Sequence, residues 1–257
     1  MSANPLLRVD RLRKAFGGLM AVSDLSFEIE HGQIKAMIGP NGSGKTTILN
    51  LISGVLPPTG GSIHFKGLGI TGWKPDAVAR RGIARTFQIV RLFRELTALE
   101  NVMVGCHPWA PAGLLGAALA LPRARQAEGR IREEAGAWLE YVGLGGRAQE
   151  LAGNLPFGEQ RLLELARALA AKPSLLLLDE PAAGLNDAER ERLCALLLEV
   201  QRRGLTILLV EHNMDLVMNV SDEIVVINYG QKLAEGSPDQ IKNQQEVIAA
   251  YLGDSRA

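Results

Sequence analysis

Eight consecutive residues, Gly39-Pro40-Asn41-Gly42-Ser43-Gly44-Lys45-Thr46, carry the strongest chemical signal in this 257-residue chain. They follow the pattern G-x-x-x-x-G-K-[ST] between an apolar run and a segment of helical character, which is the setting this motif needs. Glycines let successive backbone N–H groups turn inward around phosphate oxygens. A helix opening near Lys45 aims its positive dipole end at the same anion. The Lys45 ammonium reaches the β- and γ-phosphates of a nucleoside triphosphate, the Thr46 hydroxyl can ligand Mg2+, and Thr47 belongs to the same binding turn. A glycine-rich strand–helix turn with a surface lysine would use the same residue types, but all the motif positions match in the correct setting, which favours nucleotide binding.

A second pair of groups ends the run Leu175-Leu176-Leu177-Leu178-Asp179-Glu180. The continuous apolar stretch Ser174–Leu178 predicts a strand buried on both faces. Ligands bind at the C-terminal edge of such parallel sheets. There Asp179 would hold Mg2+ directly or through water, and Glu180 would orient or deprotonate an attacking water. Pro181 also suits an ordinary turn or helix cap. The phosphate loop upstream is what turns the pair toward hydrolysis.

These groups need a frame, and the pattern of the chain supplies one. Leu7-Arg8-Val9 and Leu25-Ser26-Phe27-Glu28-Ile29 alternate as half-buried strands do, Gln33–Ile38 leads into the glycine-rich turn, and Thr46–Ser53 is helical. Ser62–Phe65 is a strand after the turn Pro57-Pro58-Thr59-Gly60-Gly61. From Leu92 to Gly153 the chain is rich in Ala, Leu, Arg and Glu. There Ile131, Ala135, Trp138, Leu139 and Val142 recur at helical spacing, so a helical insertion is expected. Beyond Leu155, helices over Gln160–Ala171, Ala188–Arg203 and Met214–Val220 alternate with strands over Ser174–Leu178, Thr206–Val210 and Glu223–Asn228. That alternation predicts an α/β fold with a mainly parallel sheet covered on both sides.

Composition narrows the function classes. Lys plus Arg and Asp plus Glu each number 28, so the net charge is zero and no positive field exists to draw nucleic acid. Hydrophobic residues make up 47%, enough for a core and against disorder. Cys106 and Cys194 form no disulfide framework and fit a reducing compartment. Met1–Asp10 lacks the basic start and apolar run of a secretory signal. Asn101–Pro122 has no charged residue, but prolines interrupt it and only Ala112–Leu121 is cleanly apolar. That length suits a core or interfacial helix, or a docking surface for an apolar partner, better than a membrane span.

With the phosphate loop and the acid pair placed, the chain from Leu6 to Leu252 resembles the ATP-binding-cassette ATPases of transporters. The resemblance implies a P-loop NTPase core with an N-terminal antiparallel β subdomain and a helical subdomain insertion. It divides the chain into 1–90 (first part of the core), 91–160 (helical subdomain with signature segment) and 161–257 (second part of the core). Gln88 in Ala84-Arg85-Thr86-Phe87-Gln88 looks like the glutamine loop that contacts Mg2+ and water, and His212 looks like the switch histidine that contacts the γ-phosphate. Phe16 looks like the aromatic that stacks on adenine, although the same face would also suit core packing. Ala183-Gly184-Leu185-Asn186 looks like the loop crossing a dimer interface, with Asn186 in place of the usual Asp. The signature reads Leu155-Pro156-Phe157-Gly158-Glu159-Gln160. Pro156 lacks both hydroxyl and N–H, so Phe157, Gly158 and Glu159 would offer a weakened contact to the partner's ATP.

The Leu-Pro-Phe-Gly form, with Phe16-Gly17-Gly18-Leu19 and Ser237-Pro238-Asp239-Gln240, resembles ATPase subunits of branched-chain amino acid importers. Urea and amide importers, lipopolysaccharide exporters and non-transport P-loop ATPases are the alternatives. The expected cofactors are ATP and Mg2+. The expected partners are a second ABC ATPase in a homodimer or heterodimer, integral membrane permeases and, indirectly, a periplasmic solute-binding protein, with no nucleic acid. The implied location is the cytoplasmic face of the bacterial inner membrane.

Overall fold

The computed structural model describes residues 4–86, 88, 91–109 and 122–247. Strands β1 (Leu7–Phe16), β2 (Leu19–Ile29), β4 (Gly60–Phe65) and β5 (Leu68–Gly69) form an antiparallel sheet ordered β2-β1-β4-β5. Strands β3 (Ile34–Ile38), β6 (Ile83–Arg85), β7 (Leu175–Asp179), β8 (Thr206–Val210), β9 (Glu223–Asn228) and β10 (Gln231–Gly236) form the central sheet, ordered β10-β9-β3-β8-β7-β6. All its neighbours run parallel except the β9–β10 edge. Met37 pairs with Val210 and Val210 with Asp179, so β3, β7 and β8 release their following loops at one level along one edge.

The leucine-rich runs of β7 and β8 follow from burial on two faces. Leu175, Leu177, Leu208 and Val210 enter a core shared with the antiparallel sheet and helix α1 (Lys45–Ile52). Leu176, Leu178, Ile207 and Leu209 enter a second core with the helical segment. A strand between two cores must be apolar at every position.

The sequence pattern captured only the outer ends of β1 and β2. Their registers shift between Val9 and Leu12 and again near Lys14, and Arg11 and Asp24 take positive φ of 43° and 55°. Each bulge moves the apolar residues to the other phase, which hides the rest of the strand from a period-two reading.

The helical segment holds α3 (Ala98–Gly105) and α4 (Pro122–Tyr141), preceding α5 (Phe157–Ala170). Thr97 caps α3: its hydroxyl accepts the Glu100 N–H at 3.2 Å while Glu100 Oε2 accepts the Thr97 N–H at 2.8 Å. Val102, Cys106, Ala135, Leu139 and Leu163 close the core between these helices. Helix α5 begins at Phe157, three residues before the sequence reading. Helix α2 (Pro75–Arg80), strands β6 and β10, and the short last helix carried too little periodicity to be read. Among the described residues the other α-helices are α6 (Asp187–Arg202), α7 (Met214–Val220) and α8 (Pro238–Lys242). Among the described residues no helix is long and apolar enough to cross a membrane. Ala112–Leu121, Phe87 and the end from Tyr251 lie outside the described residues.

Candidate active site

The glycine-rich turn leaves β3 and enters α1 between two neighbours. A Cβ on Gly39, whose φ is 154°, would stand 2.0 Å from the Ile227 carbonyl oxygen. One on Gly44, with φ 102°, would stand 2.5 Å from that of Ala21. No side chain fits at either position. The Gly230 N–H donates to the Ser43 carbonyl at 2.9 Å, tying the turn to the β9–β10 hairpin. Gly44 takes the cap position of α1 and offers no side-chain acceptor. The first-turn amides of Lys45, Thr46 and Thr47 therefore have no capping side chain, which is the arrangement that receives anions. Pro40 accepts the Ser43 N–H at 3.2 Å, while Asn41, Gly42 and Thr46 are exposed. The buried Lys45 ammonium donates to the carbonyls of Gly39 at 2.7 Å and Pro40 at 2.8 Å. Burial lowers its pKa, opposed by the charges of Glu180 and Asp179.

Asp179 ends β7 at 1% exposure and accepts Arg85 Nη2 at 3.0 Å. Arg85 Nη1 donates to Asn50 Oδ1 at 2.7 Å and Ser53 Oγ at 3.0 Å, so one guanidinium joins β6, β7 and α1. Burial raises the Asp179 pKa; Arg85 and the Thr46 hydroxyl pull it down, and Glu180 adds to the rise. Asp179 Oδ1 is buried without a hydrogen-bond partner. A buried carboxylate oxygen that Arg85 leaves unpartnered, on an acid that also interacts with the Thr46 hydroxyl, fits an incoming cation.

Glu180 sits between two side chains that arrive from other strand ends. Gln88 Nε2 donates to its Oε2 at 2.9 Å, and His212 Nε2 lies 2.9 Å from its Oε1. Its backbone has φ 50°, and its N–H donates to the Val210 carbonyl at 2.9 Å. Gln88 is positioned in turn by Arg161 of α5, whose Nη2 donates to its carbonyl at 2.7 Å. Thus Lys45, Asp179, Glu180, Gln88 and His212 converge on one sheet edge.

The other expected residues stand elsewhere. Phe16 ends β1 at 46% exposure with Lys14 Nζ 5.1 Å from its ring centroid, so core packing does not hold it. Phe157 lies against Gly184 and under the Arg161 guanidinium, 5.3 Å from its ring. Gly158 is buried against the Glu189 carboxylate, and Glu159 pairs with Arg147 at 3.5 Å. Asn186 caps α6, accepting the Glu189 N–H at 3.0 Å, so its departure from Asp preserves a good cap residue. Arg85, Arg161, Asn50 and Glu211 contribute without having been assigned a role. The available signal was a charged residue at the end of an apolar strand, visible for Glu211 and weak for the three-residue β6.

A phosphate turn and strand-end acids on one edge of a parallel sheet define a P-loop nucleoside triphosphatase. Residues 22–183 match the family model "ABC transporter", and residues 231–257 match "Branched-chain amino acid ATP-binding cassette transporter". The chain is 45% identical over 254 residues to the high-affinity branched-chain amino acid transport ATP-binding protein LivG of Salmonella typhimurium, covering 98% of this chain and 100% of that one. Among solved structures, the ADP conformation of the ATP-binding cassette MJ1267 matches with TM-score 0.84 and 30% identity, covering 98% and 100% of the two chains. The dimeric post-hydrolysis cassette MJ0796, bound to ADP and Pi, matches with TM-score 0.77 and 25% identity over 90% and 98%. The chain belongs to the ATP-binding-cassette family of transporter ATPases. It is a nucleotide-binding, ATP-hydrolysing subunit.

Proposed function

We propose that this chain powers the import of branched-chain amino acids from the cytoplasmic face of the inner membrane. The observation that carries the hydrolytic roles is the Glu180 carboxylate held between Gln88 and His212. The Gly39–Thr47 turn binds the phosphates, with Lys45 released from its loop carbonyls onto them. Phe16 offers its exposed face to the adenine. Glu180 orients the attacking water and takes its proton, and His212 contacts the terminal phosphate. Thr46, Asp179 and Gln88 would hold Mg2+, which would neutralise charge on the β- and γ-phosphates. Phe157, Gly158 and Glu159 face the nucleotide of a second ATPase, as a homodimer or heterodimer; that the MJ0796 relative is dimeric supports the pairing of two ATPases.

The helical segment 91–160 would meet integral permeases, and a periplasmic binding protein would act through them. The exposed Phe93 and Leu151 support an apolar docking face there. The match of residues 231–257 to the branched-chain model favours this solute class over urea or amides. Deleting the chain in its own host should abolish uptake of radiolabelled leucine, isoleucine and valine, restored by wild type and not by Glu180→Gln. Unchanged uptake of all three, with loss of urea uptake, would overturn the assignment.

A further inference from the structure

We infer that Glu211 is a positioning residue that ties the loop 181–186 to His212, so that movement of one carries the other; this rests on the hydrolytic reading above. Glu211 follows β8 and is 3% exposed. Its carboxylate is taken up by backbone amides of two different loops. Oε1 accepts the Ala182 N–H at 2.7 Å, and Oε2 accepts those of His212 at 2.9 Å and Asn213 at 3.2 Å. A buried carboxylate requires such partners, and charged acceptors make the stronger hydrogen bonds.

The contacts close a ring. Ala182 lies two residues beyond Glu180, and His212 Nε2 returns to Glu180 Oε1 at 2.9 Å. The Glu180 N–H meets the Val210 carbonyl at 2.9 Å, so the two loops leave the sheet side by side. The sheet fixes only the base of each loop; the Glu211 carboxylate joins them beyond it. A partner chain pressing on the loop 181–186 would therefore move the His212 backbone through one side chain. The link couples assembly to the histidine without itself touching nucleotide.

Glu211→Gln tests this in the full chain. Glutamine has one carbonyl oxygen and an NH2 group that cannot accept, so at least one loop loses its acceptor. Affinity for a fluorescent ATP analogue and the KM for ATP should stay within about twofold, while kcat falls at least about tenfold. The double variant Glu211→Gln/His212→Ala should turn over no more slowly than His212→Ala alone, because both act through one group. A kcat within about twofold of wild type, or a double variant slowed by the product of the single effects, would overturn the inference. Absent wild-type turnover would contradict the hydrolytic reading instead. In that case, or if the variant does not fold, amide exchange in the wild-type chain decides: Ala182 and His212 protected together supports the link, and open-loop exchange at Ala182 overturns it.

Discussion

Glu180 keeps a backbone conformation that side chains seldom adopt, with φ 50°. A left-handed non-glycine residue costs about 1–3 kcal/mol, and such strain gathers at functional sites held by their surroundings. Here Gln88, His212 and the Val210 carbonyl hold it. Glu180→Gln keeps the shape and removes the charged acceptor. Phosphate release at saturating ATP should fall about 10²- to 10⁴-fold with nucleotide binding retained; turnover near wild type would remove Glu180 from the mechanism. Arg85 acts one step behind. Its side chain is 6% exposed beside an Asp179 that is 1% exposed, so Arg85→Met leaves a buried carboxylate without its guanidinium. Denaturant titration should show a loss of about 3 kcal/mol. Arg85→Lys should recover only part, since an ammonium lacks the fork that also reaches Asn50 and Ser53. A loss below about 0.5 kcal/mol in Arg85→Met, the range of an ordinary surface substitution, would show the pair to be energetically idle.

The phosphate turn and the acid pair were legible because each is a contiguous pattern with its own chemistry. Arg85 was quoted only as part of a resemblance, because its role depends on a three-residue edge strand pairing with β7.

At the scale of elements, the central sheet carries a charge cluster around the buried Lys35, at the opposite end of β3 from the phosphate turn. Lys35 meets Glu223 at 2.8 Å and Glu235 at 2.5 Å, joining β3, β9 and β10. Burial alone would raise the Glu235 pKa, but hydrogen bonds and charge from Lys232 and Lys35 outweigh it and hold the carboxyl below its ordinary 4.5. A depressed folded pKa gives stability that is present above the ordinary value and lost as pH falls through the folded one. Urea midpoints should therefore drop below pH 4.5, and Glu235→Gln should be less stable at neutral pH with a shallower acid slope. An identical slope in the variant would take Glu235 out of the acid transition. Strands β3, β7, β8 and β9 were readable from their apolar residues and helices α5, α6 and α7 from their periodicity, whereas β10, polar along most of its length, was not. The bulged strands β1 and β2 were readable only at Leu7–Val9 and Leu25–Ile29, because Arg11 and Asp24 interrupt the alternation that marks a strand.

At the scale of the whole molecule, three apolar clusters among the described residues pack on the faces of one sheet, and the loops carrying Lys45, Gln88, Glu180 and His212 leave the same edge. Chain separation is large: Gln88 reaches Glu180 across 92 positions and His212 across 32. That convergence was legible only as resemblance, since no local pattern in the sequence states which strand ends are neighbours; the order β3-β8-β7-β6 supplies it. The proposed dimer and permease docking belong to the same scale, and the transport proposed for them requires the turn at Gly39–Thr46 to bind a nucleotide. Titration calorimetry of the full chain with Mg-ATP tests that directly. Wild type should bind saturably, and Lys45→Ala should bind at least about tenfold more weakly, the loss of one charge-assisted contact worth about 1.4 kcal/mol or more. No saturable heat in wild type, or equal affinity in Lys45→Ala, would contradict the account.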